Sequence, residues 1–127
     1  MFKSNIFKQL IFPGALLLAI DVIFINFSKK MFEDQIISVQ KVNMNVKPFG
    51  ALIAYIFLIL GLYYFIIKEK RSPLDAFIFG IVLYGVYEGT NYAILKNWKI
   101  QTVLVDTLWG GILMALTTYI TYNVLGK

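Results

Sequence analysis

Three carboxylic acids stand where carboxylic acids are costly. Asp21, Glu88 and Asp106 each fall inside a stretch of mostly apolar residues long enough to cross a bilayer. An ionisable side chain held in lipid is expensive, so each is a candidate site for a proton, an ion or a substrate. Their neighbours reinforce the pattern. At helical spacing Tyr84, Glu88, Asn91 and Leu95 share one face, with Tyr87 and Thr90 beside it. Asp106 and Gly110 continue into Met114, Thr117 and Thr121 on one side of the next stretch, and Asn26 lies a little over a turn beyond Asp21. No lysine or arginine occurs within a stretch. The nearest counterions are Lys29, Lys30, Lys96 and Lys99, which would reach inwards on their long stems.

The acids can act together only if the elements carrying them bring them to one level. Four apolar stretches run over about 9–27, 49–67, 74–95 and 102–125. Pro48 opens the second and Pro73 precedes the third, both fit for the first turn of a helix. Backbone groups in lipid must be satisfied within the segment, so these stretches read as helices. The expected fold is therefore all-α, a four-helix transmembrane bundle forming a single integral membrane domain over residues 1–127. Asp21 is late in the first span, Glu88 late in the third and Asp106 early in the fourth, so alternating direction gathers all three towards one membrane face. The first stretch reads as a retained helix rather than a signal peptide. It is too long for a typical apolar core, it carries Asp21, and Phe27-Ser28-Lys29-Lys30 is a poor cleavage site. In the long first loop, Phe32, Ile36, Val39 and Val42 recur at helical spacing with Glu33, Asp34, Gln40 and Lys41 on other faces. That spacing predicts a short amphipathic segment on the membrane or capping the bundle, or an ordered connector with no role of its own.

Composition excludes much else. Of 127 residues 59% are hydrophobic and 15% charged, with a mean hydropathy of +0.73. Soluble domains run nearer a quarter charged, so a disordered chain, a fibre and an ordinary soluble enzyme are all ruled out. There is no cysteine and no histidine. Thiol redox chemistry, haem ligation by these residues and thiolate or imidazole zinc sites are excluded within this chain, and no cofactor is called for. A bound metal would have to be a hard divalent cation ligated by oxygen, such as Mg, Ca or Mn. The net charge of +5 lies near the expected membrane surfaces, where it meets anionic lipid head groups rather than nucleic acid. An even number of spans places both termini on one side. The crowding of Lys68, Lys70 and Arg71 into one short loop favours the cytoplasm, although the basic residues otherwise divide evenly between the two faces.

Smaller features have structural readings. Gly85 and Gly89 form a small-xxx-small pair, and Gly110 with Gly111 marks the fourth span; both suit close helix packing. Trp98 and Trp109 flank the third loop as interfacial anchors. Tyr55, Tyr63, Tyr64, Tyr119 and Tyr122 read as belt or packing residues.

Three readings of the acidic cluster compete. Carboxyl groups held close in low dielectric can shuttle protons or bind a cation, as a small transporter or channel subunit needs. They can ligate a divalent metal with Asn91 and Thr90 for hydrolysis of a lipid or phosphate ester, although no nucleophile–base pair stands out. Or they only hold helices together, protonated or paired with lysine, in a structural or assembly subunit. Asp106 has a further alternative as the N-cap of a fourth helix beginning there. Four helices enclose little volume, so a transport pathway points to a homo-oligomer or a membrane-protein partner.

The run Tyr87-Glu88-Gly89-Thr90-Asn91-Tyr92-Ala93-Ile94-Leu95-Lys96-Asn97-Trp98, followed by Val105-Asp106-Thr107-Leu108-Trp109-Gly110, resembles an uncharacterised family of small predicted membrane proteins common in bacteria. That family has a Tyr-Asp-x-Thr-Asn-x-Ala-x-Leu-x-x-Trp segment, then Asp-x-x-Trp-Gly, and an aspartate late in the first helix that Asp21 matches. The resemblance implies the same four-helix membrane fold over nearly the whole chain and carries no activity with it. The family's second aspartate is Glu88 here, so the carboxylate is kept with a longer reach. The richness in Ile, Asn, Lys, Phe and Tyr points to an AT-rich coding source, such as certain bacteria or large DNA viruses. In a virus with an internal membrane, the structural role would gain weight.

Overall fold

The structure is a computed structural model. It describes residues 2–41 and 47–127, with side chains of the first helix from Ile6 onward. Four helices follow in order: α1 (Phe2–Gln40), α2 (Pro48–Leu62, prolonged by a π-helical turn over Tyr63–Ile67), α3 (Pro73–Ile94) and α4 (Ile100–Leu125). There is no strand among the described residues.

The first helix is longer than its apolar stretch. Its 39 residues rise about 58 Å, roughly twice the hydrocarbon thickness of a bilayer. The segment beyond Ser28 is helical, as its spacing implies, but it continues α1 instead of forming a separate piece in a loop. Nothing in 28–40 breaks a helix, and the Ser28 hydroxyl bonds back to the Phe24 carbonyl at 2.9 Å. Val42 lies outside the described residues. Pro13 also falls three turns inside the helix rather than near its start. Beside it Gly14 lets Ile59 of α2 come close, since a Cβ there would meet the Ile59 side chain at 3.2 Å.

Local chemistry sets the other ends. Pro48 opens α2. Its final turn widens so that the Lys68 and Arg71 amides donate five residues back, to the Tyr63 and Ile66 carbonyls at 2.8 and 2.9 Å. The Tyr122 hydroxyl, from the far end of α4, donates to the Arg71 carbonyl at 2.6 Å and ties that turn down. Ser72 caps α3 by accepting from the Asp75 amide at 3.1 Å, with Pro73 next in line. At the other end of the bundle, Lys99 precedes α4 with no side-chain cap of its own. Gln35 of α1 supplies one: its Oε1 accepts from the Lys99 amide at 2.6 Å and the Thr102 hydroxyl at 2.9 Å. Its Nε2 donates to the Asn97 carbonyl at 2.9 Å. Asp106 therefore sits well inside α4, which removes its reading as the N-cap.

The closest packing is between α3 and α4. Gly80 faces the backbone of Gly110 and Gly111, the Tyr84 ring covers Gly110, and Phe77 and Ile81 cover Gly111. Gly85 and Gly89 do not form this contact: a Cβ on Gly85 would make only ordinary contact with Thr107, and Gly89 faces open space. The approach is centred a turn or two earlier on α3 than the small-xxx-small pair implies. α4 is the central helix, burying Thr102, Asp106, Gly110, Gly111, Leu113, Met114, Thr117, Thr118 and Thr121. Leu17, Leu62, Ile66, Ile67 and Ala76 complete the apolar core.

Outward faces are apolar as well, with Phe27, Phe49, Phe57, Val86 and Ile94 all strongly exposed. Among the described residues, three helical segments are long and apolar enough to cross a membrane: Ile6–Gln40, Pro48–Ile67 and Ile100–Leu125. α3 is long enough, but its polar stretch from Tyr87 to Tyr92 lowers its hydropathy below theirs.

Candidate functional site

The bundle does bring the three acids into its interior. Asp21 and Asp106 are each 8% exposed and Glu88 is fully buried. The groups that meet them are neutral donors rather than lysines. The Asp21 carboxyl accepts from the Tyr55 hydroxyl of α2 at 2.5 Å and from the Trp109 indole N–H of α4 at 2.9 Å. One side chain of α1 thereby fastens two other helices. Phe24, a turn along α1, stacks on the Trp109 ring at 4.3 Å with the planes 5° apart, which fixes the indole's direction.

Glu88 accepts from the Trp98 indole N–H at 2.8 Å through Oε1, while its Oε2 has no donor. Asp106 is buried on α4, the helix that also carries Trp109.

Trp98 and Trp109, expected as interfacial residues, both donate their N–H to an acid. Trp98 is 7% exposed, and both indoles point their N–H inwards at an acid. A buried carboxyl needs donors, and indole offers one on an apolar body that lipid-facing helices can absorb. The expected counterions stay outside. Lys30 pairs instead with Asp34 at 3.2 Å on the surface, with its side chain 89% exposed.

A cavity of about 370 Å³ adjoins the cluster, with contributions from all four helices. Asp21, Tyr55, Leu58, Tyr84 and Asp106 line its depth, and Ala54, Leu83 and Tyr87 form its exposed rim. α3 meets α2 through Phe79, which lies against Gly61 and Phe65, and the exposed rim of the cavity comes from these same two helices, Ala54 of α2 with Leu83 and Tyr87 of α3, on the apolar outer surface. Glu88 is not among the residues of the cavity wall. Asn91 is half-buried and off that wall too, while Thr90 is exposed, one residue's rotation away from the Glu88 face. Among the described residues no three acidic side chains converge as metal ligands would, and with Thr90 outside, the hydrolytic reading gains no support.

Two contributors were invisible beforehand. α2 carries no acid, so nothing singled out Tyr55 as the partner of Asp21 rather than a belt residue. Gln35 lies 62 or more residues from everything it bonds. No curated protein and no solved structure matches the chain. The model of a family of predicted membrane proteins, DUF2177, matches residues 6–123, and the chain belongs to that family.

Proposed function

We propose that the protein is a small membrane carrier, or a subunit of a channel, in which Asp106, Glu88 and Asp21 exchange protons or bind a cation. One observation carries this reading: acids from α1 and α4 line a single cavity that all four helices enclose, with Asp106 buried in its wall. A purely structural polar core would satisfy its members internally, since an unpaired buried acid costs stability and gives nothing back. Asp21 fits that structural role, with a donor on each oxygen; Glu88 does not, since its Oε2 has no donor among the described residues.

In this reading α3 spans together with α4, its polar stretch turned to the cluster and to the third loop. Lipid covers the exposed apolar faces, and both termini lie on the cytoplasmic side. The test is flux in proteoliposomes under an imposed pH gradient, with and without a gradient of sodium or potassium. The expected result is dissipation faster than in protein-free vesicles. Well-folded protein that leaves the vesicles as tight as empty ones would overturn the carrier and favour a structural or assembly role.

A further inference from the structure

We infer that the cavity binds an organic cation with an apolar body, entering from the lipid between α2 and α3, rather than a bare inorganic ion; this deepens the carrier reading and rests on it. Hard cations take about six to eight oxygen ligands at fixed short distances. The cavity wall offers only a small part of such a set: two carboxyls line it, each Asp21 oxygen already accepts one hydrogen bond, from Tyr55 or Trp109, and no three acids converge as ligands among the described residues. What the cavity does supply is an acid at one end and rings along its sides. Asp106 is 8% exposed and lines the cavity, and Glu88 of the adjoining α3 is a second buried carboxyl, with a donorless Oε2 among the described residues.

Tyr55, Tyr84 and Tyr87 bring three aromatic rings to the walls, and Leu58 and Leu83 bring aliphatic surface. Aromatic faces attract diffuse positive charge, and a quaternary or tertiary ammonium keeps that attraction without demanding a shell of oxygens. The volume of about 370 Å³ is far more than one ion fills and falls within the ~300–1,000 Å³ range of small-molecule sites. The mouth agrees with the chemistry. Tyr87 at the rim is 61% exposed, and Val86 and Phe57, the chain neighbours of the lining residues Tyr87 and Leu58, are exposed apolar side chains, so an amphiphilic cation already dissolved in the bilayer reaches Asp106 without crossing water.

The probe is benzyltrimethylammonium, compared with its uncharged carbon isostere neopentylbenzene, binding to the full chain in lipid nanodiscs with empty discs subtracted. The expected result is saturable binding of the cation at least tenfold tighter than of the isostere, with sodium a poor competitor. Asp106→Asn weakens it tenfold or more, Tyr87→Leu at the exposed rim weakens it several-fold, and Thr90→Ala, on a surface away from the cavity, leaves it unchanged. Tyr87→Leu decides the matter if Asp106→Asn does not fold. Absence of saturable binding, equal affinity for the isostere, or indifference to both cavity variants would overturn the inference. Proton flux without such binding overturns it while leaving the carrier standing; such binding without any flux upholds the site and strikes the carrier instead.

Discussion

A buried acid is defined by what donates to it, and here the donors are indoles and a phenol. Trp98 is the sharpest case, because among the described residues its indole N–H is the donor that reaches Glu88, whose second oxygen already goes without. Replacing Trp98 by Phe keeps the aromatic body and removes the N–H. Leaving a buried acceptor unsatisfied costs about 1–3 kcal/mol, whereas removing both partners together can be nearly neutral. Trp98→Phe is therefore expected to lower unfolding stability in detergent micelles by roughly that amount. Trp98→Phe with Glu88→Leu recovers most of it, and an unchanged single variant would deny the hydrogen bond its structural role. The same residue shows what could and could not be read in advance. That Asp21, Glu88 and Asp106 share a level follows from span direction alone. That Trp98 and Trp109 face them does not, because a tryptophan beside a loop has the same sequence signature whether its ring turns to head groups or to an acid.

Among the elements, α4 is the post against which the others are set, and the tightest seam is the one with α3. Gly80 lies where any Cβ would strike the Gly110 carbonyl, while a Cβ on Gly89 would meet nothing within 4 Å. Backbone cannot yield as a flexible side chain does, so Gly80→Ala is expected to cost about 1–3 kcal/mol by forcing the two helices apart. Gly89→Ala is expected to be neutral or to stabilise by up to about 1 kcal/mol, since alanine is the better helix former. Thermal unfolding of the two variants side by side checks this, and equal effects would mean the seam lies elsewhere. Helix starts at Pro48 and Ser72-Pro73 were legible because caps and prolines act on their own neighbours. The seam was not: Gly85 and Gly89 have the right spacing, but which pair meets α4 depends on the rotation and offset of two helices. The continuation of α1 to Gln40 was hidden for a related reason. The charges after Ser28 mark the end of the apolar stretch and not the end of the helix, and the reward for continuing is Gln35 docked on the start of α4.

For the whole molecule, the decisive arrangement is a cavity reached from all four helices, with Asp21 held by donors and Asp106 left open to it. Asp21 braces α1 against α2 and α4; in the proposed carrier it is Asp106 and Glu88 that take the proton or the positive ligand. A division of labour of this kind separates a functional polar core from a merely cohesive one, and it places the burden of proof on a single side chain. The most direct measurement is gradient-driven flux in proteoliposomes, comparing wild type, Asp106→Asn and Thr90→Ala at matched incorporation and with folding verified for each. The account predicts that Asp106→Asn loses at least nine-tenths of the flux while Thr90→Ala, exposed and off the cavity, keeps it. Flux that survives Asp106→Asn undiminished would contradict it.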